Sequence, residues 1–544
     1  VTVSVLYWRV GPPLRHEVEM ATIHVRGLAL VIILCLSIRA TTGADAGWTA
    51  RVCGKPRPPF KESHFAAPAL VPCPAADGDA SAPAPTKCFV AACMDGTVAM
   101  LRAETGKQVW SRAINSPLRG SPLVVAGSGV AVVTTLLSEV VAVRLADGAV
   151  AWRWKSDTPA KGTWVFEPVL GPTPTTVVVG GRDMNAIVLD AGSGAATCTV
   201  QATDGIWGPA LVARLAGGDG TPPMLFAAQT ASCVVFRADL PAACSTAATD
   251  SAAAPERVST RWRTDIAPPG LSYKHKPAFW IFGGPVIVGD GNAVAVGAND
   301  GAVHVFNADT GARVHKVPVG AGGISANLMA DTRPAFRGLR VLGVNEKGTV
   351  FSVSVPRVGT WATRGGSDAP VAEWARISGV TSVKAKGVAF DVTVGLVFVA
   401  GVAAGGRGGS VVAVSTQRAP ASDASPVRVV AELPACEAPA ALTCVDCGAA
   451  AASTASRHAV VACNDGTHVG VTLPLPGDLV ERSEVGQAPQ PSPTPAPPPP
   501  PVQSQEVRVV LDTDAPPPGV EPHTRDAPNH VVVRADEPQA GLDP

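Results

Sequence analysis

What this chain lacks narrows it before anything it contains. Its 544 residues carry 44 basic and 44 acidic side chains, a formal net charge of zero, with no basic concentration and no aromatic stripe. A nucleic-acid platform needs an excess of positive charge along one face, so nucleic acid is not an expected partner. No long amphipathic helical pattern is present, which leaves strands to build the core. There is no Walker-type phosphate loop, no Gly-x-Ser-x-Gly elbow and no His-Glu-x-x-His pair, so three common catalytic arrangements have no anchor. The glycine-rich stretch Gly401 to Gly409 leads into a strand at Val411, not into a helix whose N-terminus would hold phosphate. No Asn-x-Ser/Thr sequon occurs, so any glycan the chain carries would be O-linked.

What is present in quantity is punctuation, 55 glycines and 51 prolines, distributed around a repeated phrase. Asp95 to Trp110 is echoed at Val140 to Trp152, Asn185 to Cys198 and Asp300 to His315. Each copy has a run of β-formers and a turn ending in glycine: Thr105-Gly106, Asp147-Gly148, Ser193-Gly194 and Thr310-Gly311. Glycine there supplies the positive φ a tight hairpin demands. Four residues past each glycine stands Trp110, Trp152, Cys198 or His315. The anchors Gly106, Gly148 and Gly194 fall 42 and 46 residues apart, the length of a four-stranded propeller blade.

The second copy lays out a whole blade, from Ser121 through Gly129 and Glu139 to Trp154, as four short strands in a meander. This pattern resembles the repeat of PQQ-like β-propellers, a superfamily that includes quinoprotein alcohol dehydrogenases and the propeller lipoprotein of bacterial outer-membrane assembly. The resemblance implies that the Thr-Gly turn and the Trp dock adjacent blades. It points to Thr105, Gly106, Trp110, Thr310 and Gly311, with Gly148, Trp152 and Gly194 at matching positions. Where the family usually has an Asp three residues before the Thr, the chain has Arg102, Arg144, Asp190 and Asn307, so only the third copy keeps it. Weaker copies run through Arg261-Trp262-Arg263, Glu373-Trp374, Gly409 and Asn464, giving about eight units in one all-β propeller. The last unit lacks a Trp strand, and Gly47 to Val52 stands unused upstream of the first. The N-terminal strand is therefore expected to close the ring by completing the last blade, which removes exposed sheet edges. The alternative for Trp48 is a loop cap.

The expected domains are an upstream segment with a signal peptide (1–46), the propeller (47–480) and a Pro-rich tail (481–544). Residues 1–19 look unrelated to the rest of the chain, and Met20 reads as a start. Arg26, the 11-residue apolar run Leu28 to Ile38 and the small residues Ala44 and Ala46 make the three parts of a secretory signal. That run is shorter than the roughly 20 residues a membrane helix needs, and no other spanning run occurs. Secretion agrees with eleven cysteines outside this segment. Cys73 and Cys444 each follow a proline by five residues, while Cys93 and Cys463 each precede a turn containing Asp-Gly-Thr. The expected bridges are Cys73 with Cys93 or Cys88, and Cys444 with Cys463. The alternative is that several are free and buried. Cys444-Val-Asp-Cys447 has no second pair to make a zinc site, so no metal is expected. Residues 487–501 should be polyproline II, resembling hydroxyproline-rich spacers of plant and algal wall proteins. The acidic, Pro-rich remainder should be disordered, with Val507–Leu511 and Val531–Val533 able to form strands on a partner.

Two functions remain. The first is a non-catalytic secreted scaffold, extracellular or in the cell wall, monomeric, without cofactor, binding a protein or glycan. The second is a PQQ-dependent or other oxidoreductase with a degenerate site. Enzymes the repeat resembles hold their quinone over a disulfide between consecutive cysteines, and this chain has no Cys-Cys pair. No catalytic residue is nominated, because loops that vary between copies are where a function would sit.

Overall fold

The computed structural model describes residues 3–6, 20–23 and, apart from several loop segments, 46–473. The apolar run 28–38 and the Pro-rich tail lie outside the described residues. Tertiary contacts separate residues 1–486 from 487–544. Regular structure among the described residues is strand, with three short 3-10 helices, and no helix is long and apolar enough to cross a membrane. Val3–Leu6 and Met20–Ile23 pair antiparallel as a separate hairpin.

The remaining strands form consecutive antiparallel meanders of four strands, a β-propeller; the third gains a fifth strand, and a parallel bridge between Lys386 and Ala441 joins the seventh and eighth. The first comprises Ala69–Pro72, Lys87–Ala92, Thr97–Arg102 and Gln108–Ala113. The second runs from Leu123–Val125 to Val150–Lys155, the third from Val169–Leu170 to Ala196–Gln201, and the fourth from Leu211–Ala213 to Thr260–Asp265. The fifth runs from Val286–Val288 to Arg313–Pro318, the sixth from Met329–Ala330 to Val371–Arg376, and the seventh from Val380–Asp391 to Val427–Leu433. The eighth holds Pro439–Cys444, Arg457–Cys463 and Thr467–Leu473, and its outermost strand is Ala46–Arg51, with Thr49 opposite Val469.

Burial explains the strand composition. Val130–Thr134 is buried at every position because neighbouring sheets cover both of its faces. Such strands read as continuous apolar runs, not as an alternation. The outermost strands face solvent, and Gln108–Ala113 and Val150–Lys155 each bury one side chain, Trp110 or Trp152. A register shift one residue further along the partner strand, at Met100/Leu101 and Ala142/Val143, turns each indole toward the next sheet. Apolar clusters join each sheet to the next, and one built on Phe89, Leu101, Val445 and Val460 joins the eighth to the first.

The disulfides are Cys53–Cys93, Cys73–Cys88, Cys198–Cys244, Cys436–Cys463 and Cys444–Cys447. The expected bridge between Cys444 and Cys463 is therefore wrong, and register is the reason. Pro439 lies opposite Cys463 and Cys444 opposite Ala459, so the two cysteines sit at opposite ends of one hairpin. Five residues of strand span about 17 Å, beyond the roughly 7 Å that a disulfide tolerates between Cα atoms. In the first sheet Val71 lies opposite Cys88, which leaves Cys73 beside Cys88 and frees Cys93 to reach Cys53.

Candidate functional site

The repeated Trp and Gly meet across sheet boundaries, never within one sheet. Trp110 lies on the turn glycine of the second sheet, where a Cβ on Gly148 would fall 2.5 Å from its ring, and its Nε1 donates to the Leu145 carbonyl at 2.8 Å. Trp152 repeats this on Gly194 with the Ala191 carbonyl at 2.8 Å. Trp262 repeats it on Gly311 with the Ala308 carbonyl at 2.9 Å. Trp48 does the same on Gly106, donating to the Ala103 carbonyl at 2.8 Å. In every case the acceptor stands three residues before the glycine. The positive φ of these glycines (66°, 70°, 77° and 72°) and the ring above each exclude any side chain. Thr105 and Thr310 act inside their own turns, each hydroxyl accepting a backbone N–H two residues on at 3.3 Å.

Two positions depart from the indole. Cys198 pairs with Val188 just as Trp152 pairs with Ala142, and it is bonded to Cys244 of a short 3-10 helix inserted in the fourth sheet. The same insertion lays Glu256–Val258 parallel to Ala196–Gln201 as a fifth strand of the third sheet. His315 occupies the position in the fifth sheet and is buried. In the sequence Trp262 belongs to a weaker copy of the repeat, with no docking role assigned to it. Its docking role is marked by the register shift at Arg237/Ala238.

In a meander, connections from second to third strand and from fourth strand to the next sheet leave on the same side. That side carries most of the chemistry in sheets three to five. Trp207 and Trp280 lie 5.7 Å apart between ring centres, Phe282 meets Trp280 edge-on at 5.9 Å, and the Arg182 guanidinium lies 5.3 Å from the Trp207 ring. The loops bearing them approach closely: a Cβ on Gly208 would meet the Phe282 carbonyl at 2.8 Å. The Trp280 Nε1 is buried with no hydrogen-bond partner among the described residues.

Ionisable groups on this side are tied down. His304 Nε2 contacts Asp300 at 3.1 Å and Lys316 Nζ reaches it at 2.9 Å. Burial alone would raise the Asp300 pKa, but these partners outweigh it and hold the carboxyl below its usual value. The Cys233 thiol, part of no disulfide, is buried and pushed up to about 12 by desolvation, so it is a packing residue, not a nucleophile. Among the described residues no group of three or more His, Cys, Asp or Glu is placed to hold a metal.

Consecutive four-stranded antiparallel meanders packed face on face define the class: a β-propeller. Residues 40–207 match a family model described as outer membrane protein assembly factor BamB. Among solved structures the chain is similar to Sqt1 of Saccharomyces cerevisiae, at 14% identity and TM-score 0.53, over 78% of this chain and 100% of that one. It is also similar to BamB of Moraxella catarrhalis, at 14% identity and TM-score 0.48, over 75% and 97%. Identity that low shows a shared fold alone. No curated protein matches the chain.

Proposed function

We propose that this protein is a non-catalytic, secreted propeller scaffold that docks a protein partner on the loop side around Trp207, Trp280 and Phe282. The observation that carries this reading is the half-buried aromatic group with Arg182 against it, on loops that differ from sheet to sheet. Tryptophan and arginine in a partly desolvated group are the residue types that dominate binding energy at protein interfaces. Disulfides support an oxidising compartment, and the upstream segment 20–46 acts as its secretion signal. The propeller, 47–480, is the binding body and the Pro-rich tail after it a spacer.

The test is chemical cross-linking of the full chain in the extracellular fraction, comparing wild type with a W207A/W280A double variant. One dominant adduct, lost in the variant while its unfolding midpoint is kept, is the expected result. Equal adducts from both would contradict the docking side. A stoichiometric quinone absorbance on adding PQQ and calcium would contradict the non-catalytic reading.

A further inference from the structure

At the rim of this loop side, a groove of about 730 Å³ opens between the second and third sheets, and its Asp183–Asn185 turn directly follows Arg182. Three sheets build it. Trp154 comes from the outermost strand of the second, Asp183 and Met184 from a turn of the third and Asn185 from the strand that follows it, Gln201 from the fourth strand of the third, and Arg257 from the strand inserted by the fourth. The volume falls within the range of small-ligand sites.

Backbone strain at Met184 singles this groove out. In all eight sheets the residue just before the third strand has positive φ, and in five it is glycine: Gly96, Gly301, Gly348, Gly408 and Gly466. The other three are Ser138, Met184 and Cys233, at φ 67°, 63° and 63°. A side chain in this region is strained. Ser138 and Cys233 are buried, so packing accounts for them, but Met184 is 46% exposed, and its side chain lines the groove. The turn is otherwise held firmly: Ser156 Oγ donates to Asp183 Oδ2 at 2.9 Å and Asn185 Nδ2 donates to the Asp183 carbonyl at 3.0 Å.

The chemistry selects the ligand class. A peptide adding a strand is held by backbone groups along a sheet edge, whereas this groove is lined by side chains contributed from several strands and turns. What the groove presents is one indole with an apolar thioether beside it, rimmed by a carboxylate, two amides and a guanidinium. Such a rim both donates and accepts. A pyranose ring has the complementary form, a C–H face to lie on the indole and a rim of hydroxyls to bridge the amide and charged groups. One positive and one negative group in the rim favour an uncharged chain.

We propose that this groove binds a neutral hexose oligosaccharide, one ring stacked on Trp154 and its hydroxyls held by Asp183, Asn185, Gln201 and Arg257. The inference extends the scaffold reading and adjoins the docking side through the turn that bears Arg182, so the two are told apart by W154A, which removes the groove's ring while leaving Trp207 and Trp280 in place. The test is isothermal titration of the full chain with cellohexaose, mannohexaose and laminarihexaose, with hexagalacturonate as the charged comparison. One neutral hexaose should bind at one site per chain, and W154A should weaken it at least about tenfold. W154F, which keeps a ring and the fold, should weaken it less. M184N relieves the turn, because asparagine tolerates this φ. It should therefore keep or raise Tm while weakening binding about threefold. No heat with any neutral hexaose at millimolar concentration, unchanged affinity in a folded W154A, or binding of hexagalacturonate alone would overturn the proposal.

Discussion

The boundary between sheets two and three and the boundary between three and four solve one packing problem in two ways. At the first, Trp152 covers Gly194 and donates to the Ala191 carbonyl. At the second, the equivalent position holds Cys198, too small to reach the next turn, and a disulfide to Cys244 with a parallel strand at Glu256–Val258 takes its place. An indole docks through area, shape and one hydrogen bond, and works in the native state. A disulfide acts largely by restricting the unfolded chain. The difference teaches that the fourth strand must be tied to the following sheet, while the chemistry of the tie is free to change.

The boundary between sheets eight and one combines both ties, with Trp48 on Gly106 and Cys53 bonded to Cys93, and should be the most damaging to break. Deleting Trp48–Cys53 removes a strand, an indole and a disulfide, which together should cost more than about 5 kcal/mol. Loss of the cooperative transition in thermal unfolding is the expected readout. Next comes the covalent tie. The double variant C198A/C244A opens a link between residues 46 apart in sequence, and on the chain-entropy account should lose about 4 kcal/mol. Denaturant midpoints under non-reducing conditions measure this, and an unchanged midpoint would mean that the inserted strand suffices.

Acid should then loosen the eighth boundary before the others. His468 is fully buried, stacked 5.9 Å from Phe89 of the first sheet, and desolvation pushes its pKa down to about 4. Unfolded histidine titrates near 6.5, so the unfolded state takes up the proton first as pH falls. The stability present above about 6.5 is lost progressively toward 4, roughly 3 kcal/mol in all, and H468L should flatten this dependence. The smallest expected effect is W152F, which keeps an aromatic ring over Gly194 but loses the Nε1 donor and leaves the Ala191 carbonyl short of a partner. A loss of about 1–2 kcal/mol in the denaturant midpoint is expected.

The propeller was legible in the sequence because the turn glycines and the Trp four residues on recur at a fixed interval, and both are imposed by local geometry. Trp48 was legible for the same reason, as the missing outer strand of the last unit. The bridges were not. Cysteines at matching sequence offsets in the first and last units suggested matching pairs, but pairing depends on strand register and on which hairpin end each thiol occupies. Cys436 and Cys53, each just past an outermost strand, were the true counterparts. Trp280 and the Arg257 strand lie in insertions without a repeat, and Trp207 and Trp154 stand at positions where the copies differ in sequence. Long-range packing alone brings those residues together.

Joining the last sheet to the first depends on the strand at Ala46–Arg51 standing as the outer strand of the last sheet. Mapping disulfide-linked peptides of the unreduced protein by mass spectrometry tests this most directly. A peptide pair joining Cys53 to Cys93, with Cys436 joined to Cys463, is the result expected. Cys53 recovered as a free thiol, or bonded to any other cysteine, would contradict it.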